Sequence, residues 1–368
     1  MGLLKKTNGQ NGSQLVRRVV QFLFFIIVCY IGFRFAEFAD QLAKGILPVT
    51  DRPPGVEMFL PISALVSLKY FALTGIINGI HPSGFIIFLI ICATALVARK
   101  GFCSWVCPFG LLSEHLLKIH YLIFKSGFKL GALPDKVLRS IKYLLLFFFI
   151  WTIFFKMPAD SIERFINSPY NILADIKMLK FFTQISMTAF LVILGLIILS
   201  VVIPNFWCRY LCPYGALLGM LSLLSMGRIN HNSSECSDCG QCEKACPGLI
   251  KIRQSKSYHS LECSACLRCV NVCPEKEALK FSFFKSRFSL GSIGVGLIFI
   301  IMFSFGISMA KMTGHWENKI SKKAYFFYMM TQGMMEKIEF DPAQTQKQKT
   351  ERMKQMMEIM RGKETKSQ

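Results

Sequence analysis

The sequence predicts a multi-pass α-helical membrane protein, with a small polar α+β domain inserted ahead of its last span. Three observations predict it. The chain of 368 residues is 52% hydrophobic and only 18% charged, too apolar for an ordinary soluble protein of that size. Five charge-poor runs reach or approach the length needed to cross a bilayer. A more polar stretch from Arg228 to Arg287 concentrates eight of the fourteen cysteines.

The first run, Val19–Phe33, follows Arg17 and Arg18 as a signal peptide would. No small-residue cleavage site comes after it, since the chain continues into Arg34, Phe35 and Glu37, so it is expected to be retained as a span. The others are Gly84–Ala98, Tyr143–Phe155, Phe181–Ile203 and Phe288–Ala310. A sixth segment, Pro61–Ile80, is weakened by Lys69, Gly75, Asn78 and Gly79. It is expected to be re-entrant or to lie on the outer surface. Between Arg99 and Lys142 there are eight Lys or Arg against two acids, whereas residues 37–57 hold four acids and two bases and 156–180 three acids and four bases. The basic loop is expected inside and the other two outside. The net charge of +21 is thereby attributed to topology, and no nucleic-acid partner is inferred.

The expected organisation is residues 1–18 as a cytoplasmic N-terminus, 19–227 as the membrane domain and 228–287 as the inserted domain. Residues 288–310 form the last span and 311–368 a basic, Met-rich tail. With five spans the tail lies outside. Met353, Met356, Met357 and Met360 follow i, i+3, i+4, i+7 spacing, which favours an amphipathic helix docked on the membrane or a partner over thioether binding of Cu(I) with His315.

The insert contains "CSDCGQCEKACP", giving Cys236, Cys239, Cys242 and Cys246, and "CSACLRCVNVCP", giving Cys263, Cys266, Cys269 and Cys273. Both read C-x2-C-x2-C-x3-C-P, the bacterial ferredoxin run for two [4Fe–4S] clusters. Three cysteines at two-residue intervals wrap three corners of a cubane, and the fourth thiolate usually reaches the other cluster. This assigns Cys236, Cys239, Cys242 and Cys273 to one cluster and Cys246, Cys263, Cys266 and Cys269 to the second. A zinc ribbon uses two separated C-x2-C pairs and has no place for a third cysteine two residues on. Two such clusters are one-electron carriers without substrate chemistry of their own, so the expected function is electron transfer.

Two further elements repeat: "FCSWVCPFGLL" with Cys103 and Cys107, and "WCRYLCPYGALL" with Cys208 and Cys212. Each follows an apolar run at the same expected membrane face. In a continuous helix, cysteines at i and i+4 share one face. Two such faces would gather four thiols for an additional redox or metal centre; the alternative is that they are small packing residues. Cys29 and Cys92 stand alone in apolar runs and are expected to be core or lipid-facing thiols. His81 is a candidate proton acceptor or helix cap at the outer end of the second span, with Asp160, Glu163 and Arg164 on the same side.

Taken together, the two C-x3-C-P elements and the two-cluster insert resemble the membrane polyferredoxin family. It includes the NapH-type, NosR-type and CcoG-type proteins, and the layout is nearest the NapH type. The resemblance covers roughly residues 15–310 and carries over at the twelve cysteines named. It implies an inner-membrane bacterial protein whose ferredoxin domain faces the cytoplasm. It also implies passage of electrons between the quinone pool and a respiratory reductase or ferredoxin-like partner, as in a quinol dehydrogenase subunit. About eighteen residues precede the first span, so the external flavin-binding domain of the NosR type is not expected, nor is the C-terminal immunoglobulin-like domain of the CcoG type. Two other functions compete: a cupric-reducing, metal-handling assembly factor for a respiratory oxidase, and a redox-sensing regulator.

Overall fold

Apolar segments in lipid must satisfy every backbone polar group internally, which leaves them helix as the accessible form. The computed structural model, which describes residues 10–124, 130–254, 257–258, 260–283 and 288–339, is mostly helical. Helix α1 spans Gln10–Ala43. A short helix α2, Pro61–Thr74, precedes α3, Pro82–Ala98, which runs through a tight turn into α4, Phe102–Trp105. Beyond it lie α5, Pro108–Ile123, and α6, Ala132–Trp151, prolonged by a π-helical turn at Thr152–Lys156. Helices α7 (Ala159–Ile166), α8 (Pro169–Ile172) and α9 (Ala174–Thr183) are short. Helix α10 covers Met187–Val202 and α11 Pro213–Leu221.

Among the described residues, four helical stretches are long and apolar enough to cross a membrane, Gly12–Ala43, Pro82–Trp105, Ala132–Lys156 and Ser292–Met312, or five if α9 and α10 are taken as one broken span. That pair corrects the expectation of a continuous helix over Phe181–Ile203. The chain bends by 79° between α9 and α10, because Ser186 caps the new helix by accepting from the Ala189 N–H at 3.2 Å. The segment expected to be weak is indeed short. With fourteen residues, α2 rises about 21 Å, well under the ~30 Å hydrocarbon core, and it ends on Gly75 in the left-handed region. Lys69, the charge that weakened it, is not stranded. Its Nζ donates to the carbonyls of Ile153, Phe154 and Met157 at 3.1, 2.9 and 2.6 Å, satisfying acceptors that the end of the α6 extension leaves open.

The insert folds around a four-stranded antiparallel sheet of order β2-β1-β3-β4. Its strands are β1 (Gly227–His231), β2 (Ser257–Tyr258), β3 (Leu279–Phe283) and β4 (Phe288–Ser289). Ile229 faces Phe281 across the β1–β3 ladder, and both are buried. Two short helices, α12 (Gln241–Lys244) and α13 (Arg268–Val272), follow the cysteine loops. The last apolar run therefore starts later than expected: Phe288 and Ser289 belong to the sheet, and α14 covers Ser292–Met312. One hydrophobic core runs without interruption from Phe299 and Trp105 in the helices to Ile229, Leu267 and Phe281 in the insert.

Helix α15, Lys322–Glu339, returns to the end of the bundle opposite the insert, where the Tyr325 ring meets Phe38 of α1 edge-on at 5.8 Å. The methionines of 353–360 lie outside the described residues. Beneath α15 sits a buried ionic knot. Arg52 holds Asp175 at 2.5 Å and Glu57 at 2.7 Å, and His81 lies 3.3 Å from Glu57. His81 precedes α3 without capping it; its Nε2 instead lies 2.7 Å from the Asn171 carbonyl.

Candidate metal centres

Both cysteine loops of the insert adopt one backbone pattern. Asp238 and Gly240 flank Cys239 with φ of 53° and 69°, and Ala265 and Leu267 flank Cys266 with φ of 47° and 57°. Left-handed residues alternating in this way turn successive amides toward a common centre, an arrangement suited to an anionic group. Gly240 takes that conformation freely. A branched leucine does not, so Leu267 is held there by its surroundings: it is buried in the core shared with the helices.

The thiols sort into sets of four. Cys273 lies within electrostatic range of Cys236 and Cys239, and Cys242 within range of Cys273 and Cys239. Cys269 interacts with Cys246, Cys263 and Cys266. The fourth cysteine of each run thus sits with the other loop's three. Cys246, Cys263, Cys266 and Cys269, with Pro247, Gly248 and Ala265 among their neighbours, line a cavity of about 30 Å³. Burial pushes the Cys246 thiol up to about 12 and raises Cys263 and Cys269 as well, so a bound metal must displace a proton from each. Among the described residues no three His, Cys, Asp or Glu side chains converge closely enough for a single metal ion. A cubane spreads its thiolates over separate irons. The donor sets, their spacing and the inward amides fit [4Fe–4S] groups.

A third set lies at the insert-facing end of the bundle. Cys107 interacts with Cys103, Cys208 and Cys212, and Cys208 with Cys212 and Cys103. The two elements are not continuous helices, which corrects the expected i, i+4 face. Cys107 and Cys212 take extended backbone angles, because the residue before a proline is driven out of the helical region. Each then precedes a new helix that begins at Pro108 or Pro213. The Cys212 sulfur accepts from the Gly215 N–H at 3.3 Å. Cys103 lies in α4 and Cys208 in a π-helical turn, Trp207–Leu211. The folds back from these breaks gather the four sulfurs. Burial raises Cys107 and pushes Cys208 to about 12.

The second loop is fastened directly over this third set. Ser104 Oγ donates to the Ser264 carbonyl at 2.6 Å, Trp105 Nε1 to the Ala265 carbonyl at 3.0 Å, and Arg99 Nη2 to the Ser260 carbonyl at 2.6 Å. Glu262, next to Cys263, receives Lys142 at 2.5 Å and Lys100 at 3.2 Å. Burial alone would raise the Glu262 carboxyl, but the two ammonium groups outweigh it and hold it near about 2. Arg209 donates to the Gly248 carbonyl and Asn205 to that of Pro247. At the other extreme Cys239 is exposed. The three sets therefore run in sequence from the helical bundle, through the docked loop, to the solvent.

Sequence reasoning did not single out Arg99, Lys100, Trp105, Lys142 or Glu262. Arg99, Lys100 and Lys142 entered it only as topology charges; a pair of bases immediately before a cysteine element was the available signal. Cys92 is half-buried and Cys29 exposed on α1, and neither joins a set. Asp160 and Glu163 make no side-chain ion pair among the described residues.

Comparison with known proteins finds 4Fe-4S family matches over these segments. Residues 80–130 and 185–230 match the family described as a 4Fe-4S binding domain, and residues 228–274 the 4Fe-4S dicluster domain. The former takes in both C-x3-C-P elements. The chain is 42% identical over 201 residues to the putative electron transport protein YccM of Escherichia coli (strain K12), covering 55% of this chain and 56% of the relative. It is 26% identical to the methylamine utilization ferredoxin-type protein MauN of Methylorubrum extorquens, over 57% of this chain and 64% of that one. Similarity to the ferredoxin-type protein NapH of Haemophilus influenzae is 26%, over 45% and 53%. The matched stretch thus spans between about half and two thirds of these relatives' lengths. No solved structure matches.

Proposed function

From the premise that the chain belongs to the membrane ferredoxin-type 4Fe-4S proteins, we propose that it carries electrons between the membrane quinone pool and a respiratory redox partner on the insert side. The observation that carries this is the linear order of the three four-thiol sets. Cys236, Cys239, Cys242 and Cys273 would hold the outer cluster, and Cys246, Cys263, Cys266 and Cys269 the inner one. When bound, each [4Fe–4S] cluster supplies reversible one-electron storage. The residues do the rest. The left-handed pairs at Asp238/Gly240 and Ala265/Leu267 aim amides at the thiolates, which favours the charged forms. The core shared by Leu267, Trp105 and Phe299 keeps water from the inner site, whereas Cys239 leaves the outer site open to a partner. The insert lies at the end where Arg99, Lys100 and Lys142 meet it, which supports a cytoplasmic orientation in a bacterial inner membrane.

Cys103, Cys107, Cys208 and Cys212 form a further station in the same line, either a third metal centre or a dithiol pair. Lys100, buried beside Cys103, supplies positive charge there against the thiolates.

Anaerobic purification with iron and sulfide assay and EPR of the reduced protein tests this. About eight irons per chain fits two cubanes, and about twelve fits three. A colourless protein that carries zinc, or labelling that puts the insert on the outer face, would refute it.

A further inference from the structure

Helix α1, helix α5 and the insert enclose a cavity of about 290 Å³ distinct from the thiol sets, although Cys246 and Pro247 form part of its wall. Its charges do not balance. Glu114 is the one carboxylate in the lining, and it is taken by two guanidiniums: Arg17, which grips it with both terminal nitrogens at 2.7 and 2.8 Å, and Arg268. Arg18, Lys118 and Lys244 also line the cavity and have no acidic partner among the described residues. Five cations against one carboxylate make the opening attractive to an anion.

The cations sit where exposed apolar stripes end. On α1, Leu15, Val19 and Phe22 share the Arg18 face at helical spacing and are 59%, 58% and 45% exposed. On α5, Tyr121 and Leu122 follow Lys118 on one face, 46% and 78% exposed. An occupant thus needs a negative headgroup and apolar chains, and its headgroup must reach Lys244 on the insert.

We propose that this cavity binds the phosphate of an anionic glycerophospholipid from the leaflet on the insert side, so that one lipid ties α1 and α5 to α12. Acyl chains lie along the two apolar stripes, and the phosphate meets Arg18, Lys118 and Lys244. The site does not depend on the clusters, but it adjoins the wall that contains Cys246.

The test uses the whole chain, purified anaerobically and reconstituted in nanodiscs of phosphatidylcholine doped with phosphatidylglycerol. Lipids that stay bound are counted by native mass spectrometry. Each cation near an anionic headgroup is worth about a fivefold preference, so phosphatidylglycerol should be retained at least about tenfold above its share of the bilayer. The variant Arg18→Gln/Lys118→Gln/Lys244→Gln should lose that enrichment, and Arg18→Lys should keep it. Equal retention of the two lipids by the unaltered protein overturns the proposal without any variant. So does displacement of the lipid by inorganic phosphate, which would make this a soluble-anion site, or salt-sensitive capture of an acidic carrier protein with no lipid preference. Iron content read on the same sample separates the two claims: lipid enrichment in an iron-free protein would sink the electron-transfer reading and leave this one standing.

Discussion

The insert and the bundle end each collect sulfurs in fours, but they build the sets differently. In the insert three of every four cysteines come from one seven-residue loop, and the local backbone, left-handed at alternate positions, does the gathering. In the bundle no local segment supplies more than two. Cys103 and Cys107 meet Cys208 and Cys212 only because α3 and α10 deliver their ends to one place and a proline then breaks each helix. The first kind of set is gathered largely by its own loop, and the second depends on the packing of the whole fold.

The difference can be broken experimentally, and the largest effect should come from the ligands. Cys263→Ser should cost the chain about four irons and the EPR signal of the inner cluster, with the outer cluster retained. The double change Cys103→Ser/Cys208→Ser should leave the eight irons of the insert in place. If it empties the insert as well, the two regions are not separable. Next in size is the joint between them. Glu262→Gln leaves Lys100 and Lys142 buried without a counter-charge, a loss of about 3–5 kcal/mol by analogy with broken buried pairs. It should appear as faster amide exchange at Ser260–Cys269 and a lower unfolding midpoint. Because the carboxyl is held near about 2 against an ordinary 4.5, its contribution is complete above pH 4.5 and falls away as the pH drops toward 2.

A smaller effect separates the two copies of the repeat. A Cβ on Gly110 would lie 1.8 Å from the Cys103 carbonyl oxygen, whereas one on Gly215 finds nothing nearer than 3.6 Å. Gly110→Ala should therefore destabilise by about 1–3 kcal/mol and Gly215→Ala should be near neutral, as thermal unfolding in detergent would show. Equal losses would mean that the copies are not packed differently. Smallest of all, Arg253→Ala removes the pairs with Asp238 and Glu243 on the outer loop. Partly exposed pairs of this kind contribute little, so neither iron content nor the unfolding midpoint should move.

What could be read in advance follows the same division. The two ferredoxin loops were legible because their chemistry is written in consecutive residues, and in the first of them Gly240 makes the left-handed turn without strain. Leu267, which does the same task in the second loop, was not legible, since only tertiary burial compels a leucine into that conformation. Most of the apolar runs declared themselves, and Lys69 and Gly75 flagged the α2 segment as a weak apolar run. The bend at Gln184–Ser186 escaped notice because its polar residues sit inside an otherwise continuous hydrophobic stretch. The four C-x3-C-P cysteines were visible as a repeat. Their gathering was expected, but through a shared i, i+4 face; the breaks before Pro108 and Pro213, and contacts between residues about a hundred positions apart, bring them together instead. The knot of Arg52, Glu57, His81 and Asp175 was equally hidden, its members being scattered over three separate segments of the chain.

The exchange of fourth cysteines, Cys246 lying with the second loop and Cys273 with the first, bears on how such a chain is made. A nascent insert halted on the ribosome anywhere before Cys273 owns no finished set for the outer site, however long its first loop has been waiting. Metal delivery must then follow synthesis of the entire insert rather than keep pace with it, and premature termination between the loops yields a fragment with neither half usable.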